Sequence, residues 1–411
     1  MIIERRQNMK TNMLLDTWDE TGTDIETFKE YVALIDEATR IVPIETNDLT
    51  LFAVIGATDT HIRLLTYDEE QTMRRIVPPA SQMKISSIMD KGVTEEFLKD
   101  IMNSKLLLRH EGAVYFTSSG LARDLGARAQ LSGNGLNFPT PERAAFLAHR
   151  YSADPCRANF VVRSNLSDGG RLHKVFALPS STYRYIPQST ILDVMEYLEA
   201  EMGTTECNHW HISPTITQLW LEFPDKAKDI ARTYALPDDM IPGVLLETSD
   251  TCDCAFKVIA TWRLRTRNYS RHNSFEKEHK GKFLVEDIMT AVKDHIFTAY
   301  TKLPQRLCDL LCMDVPNPVD LIDLIFERTD ITGILGKRRT KQLLPLLQAE
   351  INPKASYTAY DIALRFMELP GQFESEASVR DDLEVFAAKV PFLDFESLIT
   401  KAAKPMVLIP A

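Results

Sequence analysis

The chain has 411 residues, more than one hydrophobic core usually serves, and this length predicts two or three structural units. Hydrophobic residues make up 44% and charged residues 26%, ordinary values for a globular protein that exclude wholesale disorder. The formal net charge of -11 repels nucleic acid at long range, so binding to nucleic acid would require a local basic surface.

The sequence also carries no sign of export or membrane insertion. No apolar run approaches the roughly 20 residues that a membrane-spanning helix needs. The first residues turn acidic before the apolar core of a signal peptide could form. Six cysteines are too few for a disulfide scaffold in a chain of this length. We therefore expect a cytoplasmic protein with reduced cysteines and no membrane partner.

The first hundred residues predict a small α/β subdomain. Thr23 and Glu26 have the spacing of a capping box, and an amphipathic run follows them. Leu49–Ile55 and His61–Tyr67 alternate in the manner of strands on either side of a glycine-containing connection. This arrangement predicts a β-hairpin.

The middle of the chain predicts strands mixed with helices. Asn159–Arg163 and Arg171–Leu178 flank a Ser-Asp-Gly-Gly turn, a strong hairpin signal. Ser189 is placed to begin a helix that Gly203 ends. Further strands are predicted over Pro214–Phe223, Val244–Thr248 and Cys254–Leu264, and further helices over Asp225–Tyr234 and Leu284–Ala299.

After Pro304 the chain has helical periodicity and little strand character. The sequence as a whole therefore predicts the α+β class: a largely antiparallel central sheet with packed helices, plus a helical C-terminal region. The expected units are an N-terminal subdomain over 1–100, a central domain over 101–303 and the helical region over 304–411.

The central region carries a series of short motifs, among them a strand that ends in Val-Arg and a later Ser-x-x-Tyr element. The residues of these motifs are Thr117, Leu121, Leu125, Gly126, Val162, Arg163, Ala177, Ser180, Ser181, Tyr183, Ile186 and Pro187. Over roughly residues 100–300 this pattern resembles the phage- and plasmid-like proteins grouped as domain of unknown function 932. The resemblance implies a mobile-element protein of bacteria or their viruses, and it implies no catalytic residues.

The segment from Cys254 to Phe283 interleaves cations with aromatic residues, a pattern that suits an anionic partner whose bases can stack. Strand alternation places Trp262 on a core face and Arg263 on the opposite face, and a basic loop is expected from Arg267 to Lys282. The candidate nucleic-acid-binding residues are Lys257, Arg263, Arg265, Arg267, Tyr269, Arg271, Phe275, Lys280 and Lys282, with Arg163 and Arg171 on the neighbouring hairpin. An amphipathic strand with a solvated outer face is the simpler interpretation of the same pattern.

Three functions remain open at this point. The first is a phage- or plasmid-encoded nucleic-acid-binding accessory protein that acts on single-stranded DNA in recombination or replication. The second is a protein-interaction or counter-defence factor whose basic face binds an acidic host protein. The third is a metal-dependent nuclease built from Glu247, Asp250, Asp253 and Lys257. The oligomeric state is left open.

No cofactor, metal site or catalytic residue is predicted. His209 and His211 share a strand face and Cys252 and Cys254 could do the same, but the two sets are widely separated and neither has zinc-site spacing. The run from Gly333 also lacks the spacing of a phosphate-binding loop. We expect Lys337–Lys341 to be a solvated basic run.

Overall fold

The structure is a computed structural model. It describes residues 12–58, 60–67, 74–76, 83–84, 95–130, 147, 150–164, 172–236, 240–251, 253–264, 268–280, 285–373 and 375–403. Two antiparallel-rich sheets and a helical C-terminal region confirm the α+β class.

The first sheet has six strands, and every neighbouring pair is antiparallel. Its strands are β1 (Glu20–Gly22), β11 (Glu206–Ile212), β12 (Thr217–Glu222), β13 (Met240–Thr248), β14 (Phe256–Leu264) and β15 (Asn268–Lys277). They lie side by side in this order, so β1 and β15 are the two edges. Most of this sheet is therefore a meander, β11 to β15, and β1 from near the start of the chain adds to it as an edge strand.

The second sheet has nine strands and combines segments from both sides of residue 100. Its strands are β2 (Thr39–Glu45), β3 (Thr50–Ala57), β4 (His61–Tyr67), β5 (Arg74–Ile76), β6 (Met83–Lys84), β7 (Leu106–His110), β8 (Ala113–Thr117), β9 (Arg157–Ser164) and β10 (His173–Ala177). Their order is β2-β9-β10-β8-β7-β3-β4-β5, and β6 also pairs with β4. The β8–β10 pair is parallel and the other pairs are antiparallel.

Helices pack around the two sheets and make up the C-terminal region. They are α1 (Ile25–Ala38), α2 (Glu95–Ser104), α3 (Leu121–Arg128), α4 (Thr190–Met202), α5 (Pro224–Tyr234), α6 (Val285–Leu311), α7 (Pro318–Arg328), α8 (Ile331–Ala349), α9 (Ala359–Met367), α10 (Ala377–Lys389) and α11 (Phe395–Ala402). Within the described ranges, no helix combines the length and the apolar character that crossing a membrane requires.

The core face of the six-stranded sheet is the one that the alternation in β14 predicts. Phe256, Val258, Ala260, Trp262 and Leu264 are all buried and belong to one hydrophobic cluster with residues of α1, α4 and α6. This arrangement leaves the alternate positions of the strands on the opposite face of the sheet, which we call the outer face.

Helix α6 is fixed against the core face by an aromatic contact and a hydrogen bond. Tyr300 lies edge-on to Trp262, with 5.6 Å between the ring centroids. Its hydroxyl donates to the carbonyl of Gly243 at 2.5 Å. Burial raises the pKa of Tyr300 well above its ordinary value, so the hydroxyl stays a donor.

A buried ion pair joins the two sheets. Arg163 in β9 donates to Asp250, just beyond β13, at 2.7 and 3.3 Å, and both side chains are 1% exposed. The same guanidinium donates to the carbonyl of Pro214 at 3.1 Å, and the hydroxyl of Tyr183 donates to the carbonyl of Asp250. The charge of Arg163 is therefore compensated inside the protein.

A second buried cation lies beside the first. Lys174 pairs with Arg163 in the β9–β10 register and is also 1% exposed. Its ammonium group contacts Asp16 and Asp100, each at 2.9 Å, and donates to the carbonyl of Leu14 at 2.7 Å. These contacts hold the segment before β1 and helix α2 against the nine-stranded sheet.

One helix end agrees with the sequence predictions, whereas one helix start and one predicted loop differ from them. Helix α1 is capped by Asp24, whose carboxylate accepts from the backbone of Thr27, and not by Thr23. Gly203 ends α4 with a φ of 87°, as its position predicted. The prediction of a loop from Arg267 to Lys282 is wrong for residues 268–277, which form strand β15. This strand pairs with β14 and packs against α10.

Candidate functional site

The outer face places the cations of β14 beside carboxylates of neighbouring strands. Lys257 donates to Glu247 of β13 at 2.8 Å. Arg263 binds Glu222 of β12 through two hydrogen bonds, at 2.6 and 2.8 Å. In the strand register Gly243 of β13 lies between Glu222 and Thr261. No side chain at this position separates the Glu222 carboxylate from the Arg263 guanidinium. Lys257 and Arg263 keep about a quarter of their side chains exposed, at 26% and 27%.

Arg271 in β15 is compensated by helix α10. Its guanidinium contacts Glu384 at 2.6 Å and Asp381 at 2.8 Å, and its side chain is 11% exposed. Burial is the main cause that raises the pKa of Glu384, while Arg271 acts in the opposite direction. Among the residues that the structure describes, Lys257, Arg263 and Arg271 of the outer face are therefore each compensated by one or two of the carboxylates of Glu222, Glu247, Asp381 and Glu384.

The remaining candidate residues of the segment are scattered. Lys280 is 71% exposed and pairs with Glu278 at 3.0 Å. Phe275 is half-buried and packs against the large hydrophobic cluster. Arg163 is buried in its pair with Asp250 and cannot reach a ligand on the surface. Arg171, Arg265, Arg267 and Lys282 lie outside the described residues, and so does the side chain of Tyr269.

The outer face also carries an aromatic pair that is not among the residues predicted from the sequence to bind nucleic acid. His209 of β11 and Trp220 of β12 are half-buried, with ring centroids 5.2 Å apart. Burial lowers the pKa of His209, and the nearby His211 and Arg380 lower it further, so the imidazole is neutral at pH 7. The alternation Gln218, Trp220, Glu222 in the sequence carries the signal that could have placed this tryptophan on the outer face.

Hydrogen bonds connect the strands across this face. Gln218 donates to Glu247 at 2.7 Å, and His211 contacts Asp19 at 2.6 Å. Burial acts to raise the pKa of Glu247, but hydrogen bonds from Lys257 and Gln218 outweigh burial and lower it. Glu247 is therefore ionised at neutral pH and holds its two donors in place.

The carboxylates of the nuclease hypothesis are engaged by separate partners. Glu247 binds Lys257, Asp250 binds Arg163, and Asp253 accepts from the hydroxyl of Thr251 at 2.6 Å. In the part of the chain that the structure describes, no three His, Cys, Asp or Glu side chains are grouped closely enough to hold a metal ion.

Comparison with protein-family models finds no match, and comparisons with curated proteins and with solved structures find no significant similarity. The fold and the candidate site thus define an α+β protein of two sheets, with a mixed aromatic and ion-paired surface on the outer face of one of them.

Proposed function

We propose that this chain is a nucleic-acid-binding accessory protein whose ligand is single-stranded DNA. The observation that carries the proposal is the half-buried His209–Trp220 ring pair on the same sheet face as Arg263 and Lys257. We further propose that this activity serves recombination or replication of a mobile element in the cytoplasm of a bacterial host, a setting that the sequence resemblance to phage- and plasmid-like proteins favours.

A single strand suits this face better than a duplex. Aromatic side chains on a sheet bind nucleic acid by stacking on the faces of bases, and those faces are accessible only when the bases are unpaired. A neutral His209 beside Trp220 supplies two such rings without the cost of desolvating a charge. The amide of Gln218 and the exposed parts of Arg263 and Lys257 supply donors around the rings.

The ion pairs limit how much phosphate binding this face contributes. A phosphate that reaches Arg263 competes with a carboxylate that already binds the guanidinium through two hydrogen bonds. A cation that is already neutralised releases few counterions from DNA. Stacking on His209 and Trp220 therefore provides most of the affinity of the outer face, and its cations contribute little to the salt dependence.

The test is a fluorescence-anisotropy titration of a labelled single-stranded oligonucleotide at several salt concentrations. Trp220→Ala should weaken binding by about 1–3 kcal/mol and leave the salt slope unchanged. Phe392→Ala is the matched control, because Phe392 is 48% exposed and lies outside the outer face. An equal loss in both variants would contradict stacking on the outer face.

Comparing the salt slopes of Arg263→Ala and Arg157→Ala tests whether Arg263 binds phosphate in addition to its ion pair. Both arginines pair with a glutamate, but Arg157 lies on the nine-stranded sheet and pairs with Glu45. We expect neither substitution to change the salt slope by as much as one unit. A wild-type chain that binds no single-stranded DNA at low salt would reject the proposal in favour of the acidic host protein as partner.

A further inference from the structure

Helix α8 carries exposed basic residues that are not part of the outer face of the sheet. Gly336 has non-helical backbone angles, with φ 76° and ψ 153°, and divides the helix into two segments. The second segment begins with four cations in five residues, and three of them, Lys337, Arg338 and Lys341, are exposed. We call these three residues the α8 cationic face.

The three cations have no carboxylate within ion-pair distance among the residues that the structure describes. Arg339, the fourth cation of the run, differs because it pairs with Glu376. Lys337 and Lys341 are four residues apart on one helix face, a spacing at which like charges repel and destabilise the helix. In a chain of net charge -11, an uncompensated cluster of this kind is complementary to an anionic partner.

The α8 cationic face lies close in the fold to the outer face of the sheet. Helix α8 packs against α10, and the Arg339–Glu376 pair joins it to the residue before the first turn of α10. Two carboxylates further along α10, those of Asp381 and Glu384, bind Arg271 of the outer face at 2.8 and 2.6 Å. Helix α10 thus connects the exposed cations of α8 to the outer face.

We propose that the α8 cationic face binds the phosphates of the same single strand whose bases stack on His209 and Trp220. This inference rests on the proposed function and assigns to α8 the salt-dependent part of binding. The ion-paired cations of the sheet cannot supply that part, whereas Lys337, Arg338 and Lys341 exchange only water and counterions for phosphate.

The test compares the wild-type chain with the triple variant Lys337→Gln, Arg338→Gln, Lys341→Gln. The probe is fluorescein-labelled oligodeoxythymidine of about 20 nucleotides, titrated between about 50 and 300 mM salt, a range over which phosphate contacts change affinity strongly. Three lost contacts should lower the salt slope by about 2 and weaken binding roughly 100-fold at about 0.1 M salt. Circular dichroism should match the wild type and thermal unfolding should occur at no lower temperature, because all three side chains are exposed and their mutual repulsion is removed.

A triple variant on α5, Lys226→Gln, Lys228→Gln, Arg232→Gln, is the matched control, because it removes the same charge from another surface helix. Its slope should stay that of the wild type. An equal fall in both variants would mean a general charge effect and would overturn the inference.

The remaining outcomes separate the inference from the proposed function. Binding by the wild type with an unchanged slope in the α8 variant would overturn only the inference. Absence of binding by the wild type at about 50 mM salt would overturn the proposed function and the inference together.

Discussion

Replacing Asp250 by asparagine should destabilise the fold by about 3–5 kcal/mol, the range found when one member of a buried ion pair is removed. The pair is almost completely buried, since both side chains are 1% exposed, so we expect a cost toward the upper end of this range. The neutral amide cannot accept both of the hydrogen bonds that Arg163 donates at 2.7 and 3.3 Å. The guanidinium would stay charged and buried, with the carbonyl of Pro214 among its remaining acceptors.

Urea unfolding followed by tryptophan fluorescence measures this loss, because Trp210 and Trp262 are buried and report on the core. Glu45→Gln is the control, since it breaks an exposed pair with Arg157 and should cost less than about 1 kcal/mol. The double variant Arg163→Met with Asp250→Leu should recover much of the lost stability, because neither charge of this pair remains buried. A shift for Asp250→Asn no larger than that of Glu45→Gln would refute the reasoning.

Three further predictions follow from other contacts. Lys257→Met should cost about 2 kcal/mol at neutral pH, and this cost should disappear as the pH falls through the lowered pKa of Glu247, because the paired carboxylate contributes stability that is lost when it is protonated; unfolding measured against pH tests this. Gly243→Ala should lower the free energy of unfolding by about 2 kcal/mol or more, because the added Cβ would lie 2.4 Å from a backbone carbonyl oxygen of β12. Gly120→Ala is the control, because its Cβ would meet open space and should change the free energy of unfolding by no more than about 0.5 kcal/mol. Cys254 should react with iodoacetamide at about pH 8 far more slowly in the folded than in the unfolded chain, since burial raises its pKa to about 12; mass spectrometry of the labelled peptide measures the rate.

Local patterns in the sequence predicted the parts of the fold that depend on local physics. The alternation from Phe256 to Leu264 identified the core face of β14, because side chains of a strand point to opposite faces in turn. Gly203 marked the end of a helix because its φ of 87° is unfavourable for other residues. The helical periodicity after Pro304 likewise predicted the C-terminal region.

The remaining features depend on contacts between distant residues. Periodicity did not indicate that the strands divide between two sheets, or that β8 and β10 pair in parallel. The cations of the basic segment were identifiable in the sequence, but their partners were not. Arg263 meets a carboxylate 41 residues away and Arg271 meets one 110 residues away, so their compensation is visible only in the folded chain.

The strand order of the two sheets determines when each can be completed during synthesis. β2 and β1 are edge strands that pair with β9 and β11, so the partner of β1 is complete only when Ile212 has been added. At translation rates of roughly 5–20 residues per second, the interval between Glu45 and Ile212 lasts roughly 10–30 s. Until residue 210 is added, Phe28 of α1 lacks the ring of Trp210, whose centroid lies 6.0 Å from its own in the folded chain. The amino-terminal segment therefore needs protection from aggregation during this part of synthesis.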